Sequence, residues 1–355
     1  MAGDERRMVK GDMGTTEVRF PAHTDPAVRI RGVIWEAPAA SAGAGAPRLP
    51  RGVVQIVHGM SEHIDRYDAF ARELVDAGYT VCGIDLFGHG ESVAAPEARG
   101  CLPARGGADD LLDDVHAMRA LMDDHLLASL GEKARTVPRF VFGHSMGSFV
   151  VRCYVAEHGR GLSGAVVCGT GFVPVATSRA GNALARLIAR VRGEDHRSPL
   201  LHRLADGGYA SKVPGARTEY DWLSVDEGNV ADYLADERCG FPFSAGGYAT
   251  LTELTARCCT AACARAVPHD LPLLFVAGAQ DPVGDDGRGV RRAADLARAA
   301  GSTDVTVRLY EGMRHEILNE TRRDVVVRNV IDWLDERAGR SRRAGDHAVE
   351  RCEDA

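Results

Sequence analysis

Phe140-Val141-Phe142-Gly143-His144-Ser145-Met146-Gly147 is an apolar run that breaks into a G-x-S-x-G pentapeptide. Residues 148–158 behind it carry a helical pattern, so the pentapeptide falls at a strand-to-helix turn. At such a turn the central residue takes a strained backbone, and bulk two positions away collides with its surroundings. Gly143 and Gly147 remove that bulk. In a chain with 40 glycines the pattern alone means little, and its placement between strand and helix is what makes Ser145 a candidate nucleophile.

Outward from this point, short apolar runs at 52–57, 80–86, 139–142, 164–168, 273–277 and 305–310 read as buried strands. Residues 111–130 carry apolar side chains at 111, 112, 115, 118, 121, 122 and 126, a helical spacing. Further helices are expected after Asp65, Met146 and Gly287 and over 321–337. The alternation predicts an α/β fold: a mostly parallel central sheet with helices on both faces and ligands at the carboxyl ends of the strands. Residues 173–247 show helical fragments without a strand run, the pattern of an inserted helical cap over that edge. The expected division is an N-terminal extension at 1–14, a core at 15–172 and 248–337, the cap at 173–247, and a mobile tail at 338–355. Residues 38–50, rich in Ala, Gly, Ser and Pro, read as a connector between two extended stretches.

The chain has 355 residues, enough for one large core, and a net charge of -7, the wrong sign for a nucleic-acid footprint. Nine cysteines follow an opening stretch without an apolar leader segment, which predicts reduced thiols and a cytoplasmic location. No apolar run approaches the roughly 20 residues of a membrane-spanning helix.

A serine hydroxyl needs a base to take its proton and an acid to orient that base. His315 follows the strand ending at Tyr310 by a short loop and is the best-placed base; His196 and His202 fall in the expected cap, and His269 precedes a strand. Asp281 follows the strand at 273–277 and is the candidate acid. Asp285 and Asp286 stay open as alternatives, with capping of the next helix as their more ordinary role. The oxyanion donors expected at such a turn are the Met146 N–H and, from the loop after the strand at 52–57, the Met60 N–H behind Gly59. His58 is expected to pack and hydrogen-bond beneath that loop. The His315-Glu316 pair fails as H-E-x-x-H because position 319 is Asn, and Cys258, Cys259 and Cys263 lack zinc-site spacing and read as buried thiols. The expected chemistry needs neither a metal nor a cofactor.

With His58-Gly59-Met60-Ser61-Glu62-His63, Gly88-His89-Gly90-Glu91-Ser92, Gly143-His144-Ser145-Met146-Gly147, Asp281 and His315 in this order, the chain resembles the α/β-hydrolase superfamily over about 29–337. Within it, the chain looks like the monoacylglycerol lipase and lysophospholipase group. The resemblance implies a serine hydrolase with Ser145 as nucleophile, His315 as base, Asp281 as acid and Met60 and Met146 as oxyanion donors, cleaving carboxylic esters through an acyl-enzyme. It implies a small-molecule substrate, a single-chain lipid ester such as a monoacylglycerol or lysophospholipid. A general carboxylesterase, thioesterase, acyltransferase or aminopeptidase are the alternatives in the superfamily, and a non-catalytic ligand-binding protein is the alternative outside it. A cap of this group forms an acyl channel, here with Leu184, Leu187, Ile188, Trp222 and Leu223, and can touch a membrane surface transiently. Ser61 stands where the family often has Gly, so it is expected to narrow the pocket mouth or bring a hydroxyl near the leaving group. His63 and His89 are expected to hold structural hydrogen bonds.

Overall fold

The computed structural model describes residues 9–10, 14–37, 49–205 and 207–353. Most of the expected N-terminal extension and of the 38–50 connector lie outside the described residues.

Among the described residues nine strands form one sheet: β1 (Val9–Lys10), β2 (Thr15–Pro21), β3 (Arg29–Trp35), β4 (Val53–Val57), β5 (Thr80–Ile84), β6 (Arg139–His144), β7 (Gly164–Cys168), β8 (Leu273–Gly278) and β9 (Val305–Tyr310). Their spatial order is β1-β2-β3-β5-β4-β6-β7-β8-β9. The pairs from β1 to β5 are antiparallel, and every pair from β5 to β9 is parallel. All six expected strands are present. β1, β2 and β3 are additions, and their polar alternation explains why the sequence showed only an extended stretch: Glu17, Arg19 and Arg31 share one face, where Arg31 pairs with Glu17 and Asp65.

The helices are α1 (Asp68–Asp76), α2 (Gly107–Leu130), α3 (Met146–His158), α4 (Val175–Arg192), α5 (Pro199–Ala205), α6 (Glu227–Ala235), α7 (Ala245–Cys258), α8 (Ala261–Ala266), α9 (Arg288–Ala299) and α10 (Arg323–Glu353). Phe70 and Leu74 of α1 and Val326, Val330 and Trp333 of α10 cover one face of the sheet. On the other face lie Val115 and Met118 of α2, Val150 and Tyr154 of α3 and Val290 of α9. β4 shows the division, with Val53 and Val57 in one core and Val54 and Ile56 in the other. Burying each such side chain contributes about 1.5–3 kcal/mol.

Between β7 and β8 the described residues contain helices and no strand. The expected cap boundary at 247 falls inside α7, which packs against both α4 and α3. α10 continues to Glu353, so residues 338–353 are helical, which their lack of apolar periodicity does not predict. The eight cysteines from Cys82 to Cys263 are free thiols.

One buried carboxyl makes the fold sensitive to pH. Asp114 of α2 accepts from the His23 N–H at 2.9 Å and faces His23 Nδ1 at 2.8 Å through Oδ1. Its Oδ2 is buried without a partner among the described residues. Burial, offset in part by His23, pushes this carboxyl up to about 6. Because the folded value lies above the unfolded one, the native state holds the extra proton, and stability falls as pH rises from about 4 to 6. Asp114→Asn should flatten that slope and raise stability at pH 7 by about 2 kcal/mol, measured by urea unfolding. An unchanged slope would assign the effect to another group.

Candidate active site

β6 ends at His144 and α3 begins at Met146, leaving Ser145 alone on the turn with φ 53° and ψ −120°. A side chain at positive φ costs about 1–3 kcal/mol and persists only where the surroundings enforce it. Here they do: the Ser145 N–H donates to Cys168 O of β7 at 3.0 Å, and its carbonyl accepts the Ser148 N–H at 2.9 Å. A Cβ on Gly143 would overlap the Gly147 carbonyl, and one on Gly147 would overlap the carbonyl oxygens of Val57 and His58.

Asp281 and His315 follow β8 and β9, whose parallel register delivers both to the same edge as Ser145. His315 Nδ1–H donates to Asp281 Oδ2 at 2.9 Å, and Asp281 Oδ1 accepts the Val283 N–H at 2.8 Å. That leaves His315 Nε2 free to accept; it is buried and has no hydrogen-bond partner among the described residues. The ring of Trp222, from the segment between α5 and α6, lies 5.0 Å from that of His315. Asp285 and Asp286 are elsewhere in function. Both sit in left-handed turn conformations, Asp285 pairs with Arg288, and Gly287 rather than either aspartate precedes α9, which corrects the capping role expected of them.

The loop after β4 is held from below. Leu86 N–H donates to His58 Nε2 at 2.9 Å, so the remaining ring proton is on Nδ1, where it donates to Gly59 O at 2.8 Å. Burial first and foremost moves His58 down, which keeps that neutral form. The Gly59 N–H donates to Glu62 Oε1 at 2.5 Å. Met60 and Met146 both border the cavity at Ser145, and the Met146 N–H is among the donors that the start of α3 leaves without an intrahelical acceptor. Ser61 borders the cavity, but its hydroxyl is not left for a leaving group: it donates to Phe241 O at 2.7 Å, and the Ser61 carbonyl accepts from Tyr233 and Gly240, which ties the loop to the segment after α6. His89 Nδ1–H donates to Phe87 O at 3.1 Å, the ring packs against His58, Phe241 and Phe243, and burial takes it down to about 3.

A buried charged layer beneath this loop escaped the sequence reading. Arg66 bridges Glu62 and Glu316, and Asn229 of α6 donates to Glu316 at 2.7 Å. Burial alone would raise both carboxyls, yet the hydrogen bond from His144 and the Arg66 charge hold Glu62 well below the usual range, and Arg66 likewise lowers Glu316. The available signal was adjacency, since Glu62 and Glu316 each sit within two residues of a motif residue. Among the described residues, His63, Asp236 and Cys239 bring one N, one O and one S within 4.8 Å. The Arg238 guanidinium already supplies the cation on Asp236, and burial pushes the Cys239 thiol up to about 12, so an ion pair accounts for this group without a metal.

Ser145 and His315 open onto a cavity of about 570 Å³, within the range of ligand pockets. Leu184, Trp222 and Leu223 line it as expected. Leu187 does not, being 58% exposed, and Ile188 packs against the core instead. Phe149, Leu201, Leu204 and Leu251 supply much of the remaining wall.

A sheet of this order, with a serine on the strand-to-helix turn and an acid and a histidine after later strands at the same edge, is that of an α/β-hydrolase. Residues 48–322 match the Hydrolase_4 family model, described as serine aminopeptidase, S33. The chain belongs to that family, and it is a serine hydrolase of the monoacylglycerol lipase group. It is 30% identical over 294 residues to a monoacylglycerol lipase of Mycolicibacterium smegmatis, covering 80% of this chain and 88% of that one. It is 26% identical to the human monoglyceride lipase over 76% of this chain and 77% of that one. A thermostable carboxyl esterase of Bacillus coagulans, solved with glycerol, superposes with a TM-score of 0.80 at 27% identity, covering 92% of this chain and 99% of that one. Among the described residues no helix is long and apolar enough to cross a membrane.

Proposed function

We propose that the protein hydrolyses single-chain lipid esters, monoacylglycerols or lysophospholipids, through an acyl-enzyme on Ser145. His315 Nε2 takes the Ser145 proton as Oγ attacks the ester carbonyl, and Asp281 holds the ring through Nδ1–H. The Met60 and Met146 N–H groups receive the oxyanion. The alcohol leaves with the proton from His315, and a water activated by the same ring releases the fatty acid. The observation that carries this reading is the cavity: Ser145 and His315 share one mouth, while Phe149, Leu184, Leu201, Leu204 and Leu251 offer an acyl chain an apolar wall. The lipase and esterase relatives support the substrate class.

Leu187, Val191 and Leu200, at 58%, 70% and 50% exposure, lie on α4 and α5 and give the cap an apolar outer surface suited to a transient lipid contact. The test is a chain-length series of p-nitrophenyl esters alongside a monoacylglycerol, for the native protein and Leu184→Trp. The native protein should prefer medium or long chains. Filling the channel should cut turnover of long esters at least about tenfold and leave the acetyl ester nearly unchanged. A native protein that turns over acetyl esters alone would remove the lipid assignment.

A further inference from the structure

His144 sits between the nucleophile and the base, and both of its ring nitrogens face oxygen atoms. Nδ1 lies 3.3 Å from Glu62 Oε1 and Nε2 lies 3.2 Å from the His315 carbonyl oxygen. A carbonyl oxygen only accepts. Glu62 also only accepts, because its oxygens take the Gly59 N–H at 2.5 Å, the Tyr67 hydroxyl at 2.8 Å and Arg66 at 3.0 Å. A neutral imidazole carries one N–H and would leave one of these contacts as two opposed lone pairs.

We propose that His144 is an imidazolium in the resting protein and a positioning residue for the catalytic groups, holding Glu62 on one side and the His315 backbone on the other. Charge balance gives independent support. Glu62 and Glu316 are buried carboxylates and Arg66 is the cation that bridges them, so without a second cation this layer would hold a net negative charge away from water. His144 supplies it. The groups facing its ring are Glu62 from the loop after β4, Tyr67 from the turn before α1, and the His315 ring 4.7 Å away, with Arg66, Glu316 and Asp281 one contact further out. After β7 stands Gly169, where a Cβ would come within 3.2 Å of both His144 and His315. Burial opposes the charged form of His144, but its hydrogen bond to Glu62 and the Glu62 charge outweigh that effect. Through Glu62 the ring fixes the Gly59 N–H, and so the loop that carries Met60. The catalytic consequence rests on Ser145 acting as nucleophile, whereas the charge does not.

The test is nuclear magnetic resonance of the full chain labelled with ¹⁵N-histidine at pH 7.5. One ring, assigned by its contacts to Tyr67, should show two one-bond N–H correlations. They should disappear in His144→Gln, and one of the two should disappear in Glu62→Gln. A ring beside Tyr67 with a single protonated nitrogen overturns the proposal, and the native spectrum decides this even where a variant does not fold. In folded His144→Gln, kcat should fall about 10- to 100-fold with KM within about threefold of native. A native kcat overturns the positioning role. Failure of fluorophosphonate to label the native protein would count against Ser145 instead, and leaves the spectrum to decide the charge on its own.

Discussion

Ser145→Gly is expected to be catalytically dead and harder to unfold than the native protein. The loss follows from removing the attacking oxygen, which should lower ester turnover by roughly 10⁴- to 10⁶-fold. The gain follows from the backbone. Ser145 is held at φ 53° and ψ −120°, a conformation that glycine adopts freely and that costs a side chain about 1–3 kcal/mol. Glycine's larger unfolded-state entropy offsets about 1 kcal/mol of that relief, leaving a net increase of up to about 2 kcal/mol in urea unfolding. Ser145→Ala separates the two effects: equal loss of turnover without the relief, because alanine keeps a Cβ. A glycine variant less stable than the alanine variant would mean that the turn carries no strain.

Gly147→Ala should have the largest effect on stability of any single methyl added to the site. An added Cβ would meet the carbonyl oxygens of Val57 and His58, backbone atoms at the end of β4 that cannot rotate away. Relief requires α3 to move off the sheet, and with it the Val150, Val151 and Tyr154 packing. A loss of about 4 kcal/mol or more is expected, seen as a lower urea midpoint and as absent serine labelling in any folded fraction. A variant within about 1 kcal/mol of native would show that α3 and β4 are not in close contact at this point.

Residues with fixed local signatures were legible in the sequence. Gly143, Gly147 and the apolar run before Ser145 announce the turn because a tight strand-to-helix reversal excludes other residues. Asp281 and His315 were found because parallel strands 273–278 and 305–310 end at one edge, so a residue just beyond each must face the same space. Glu62, Arg66 and His144 were not singled out because their meaning is tertiary. A buried ion layer needs partners 82 and 250 residues apart, as in the His144–Glu62 and Arg66–Glu316 contacts, and nothing local marks it. Ser61 borders the cavity, yet its hydroxyl donates to the Phe241 carbonyl, 180 residues away, a partner that nothing local marks. Leu187 and Ile188 share helical spacing with Leu184, yet rotation about α4 turns one to solvent and the other to the core. The helix over 338–353 has no apolar periodicity to predict it, being rich in Arg, Asp and Glu.

The central claim is that Ser145 is the nucleophile of an acyl-transfer site. Its most direct measurement is intact-mass and peptide mapping of the native chain after brief treatment with a fluorophosphonate. One adduct per chain on the peptide carrying Ser145, absent from Ser145→Ala, is the predicted result. A folded native chain that acquires no adduct, or acquires it on another residue while Ser145→Ala labels equally, would contradict it.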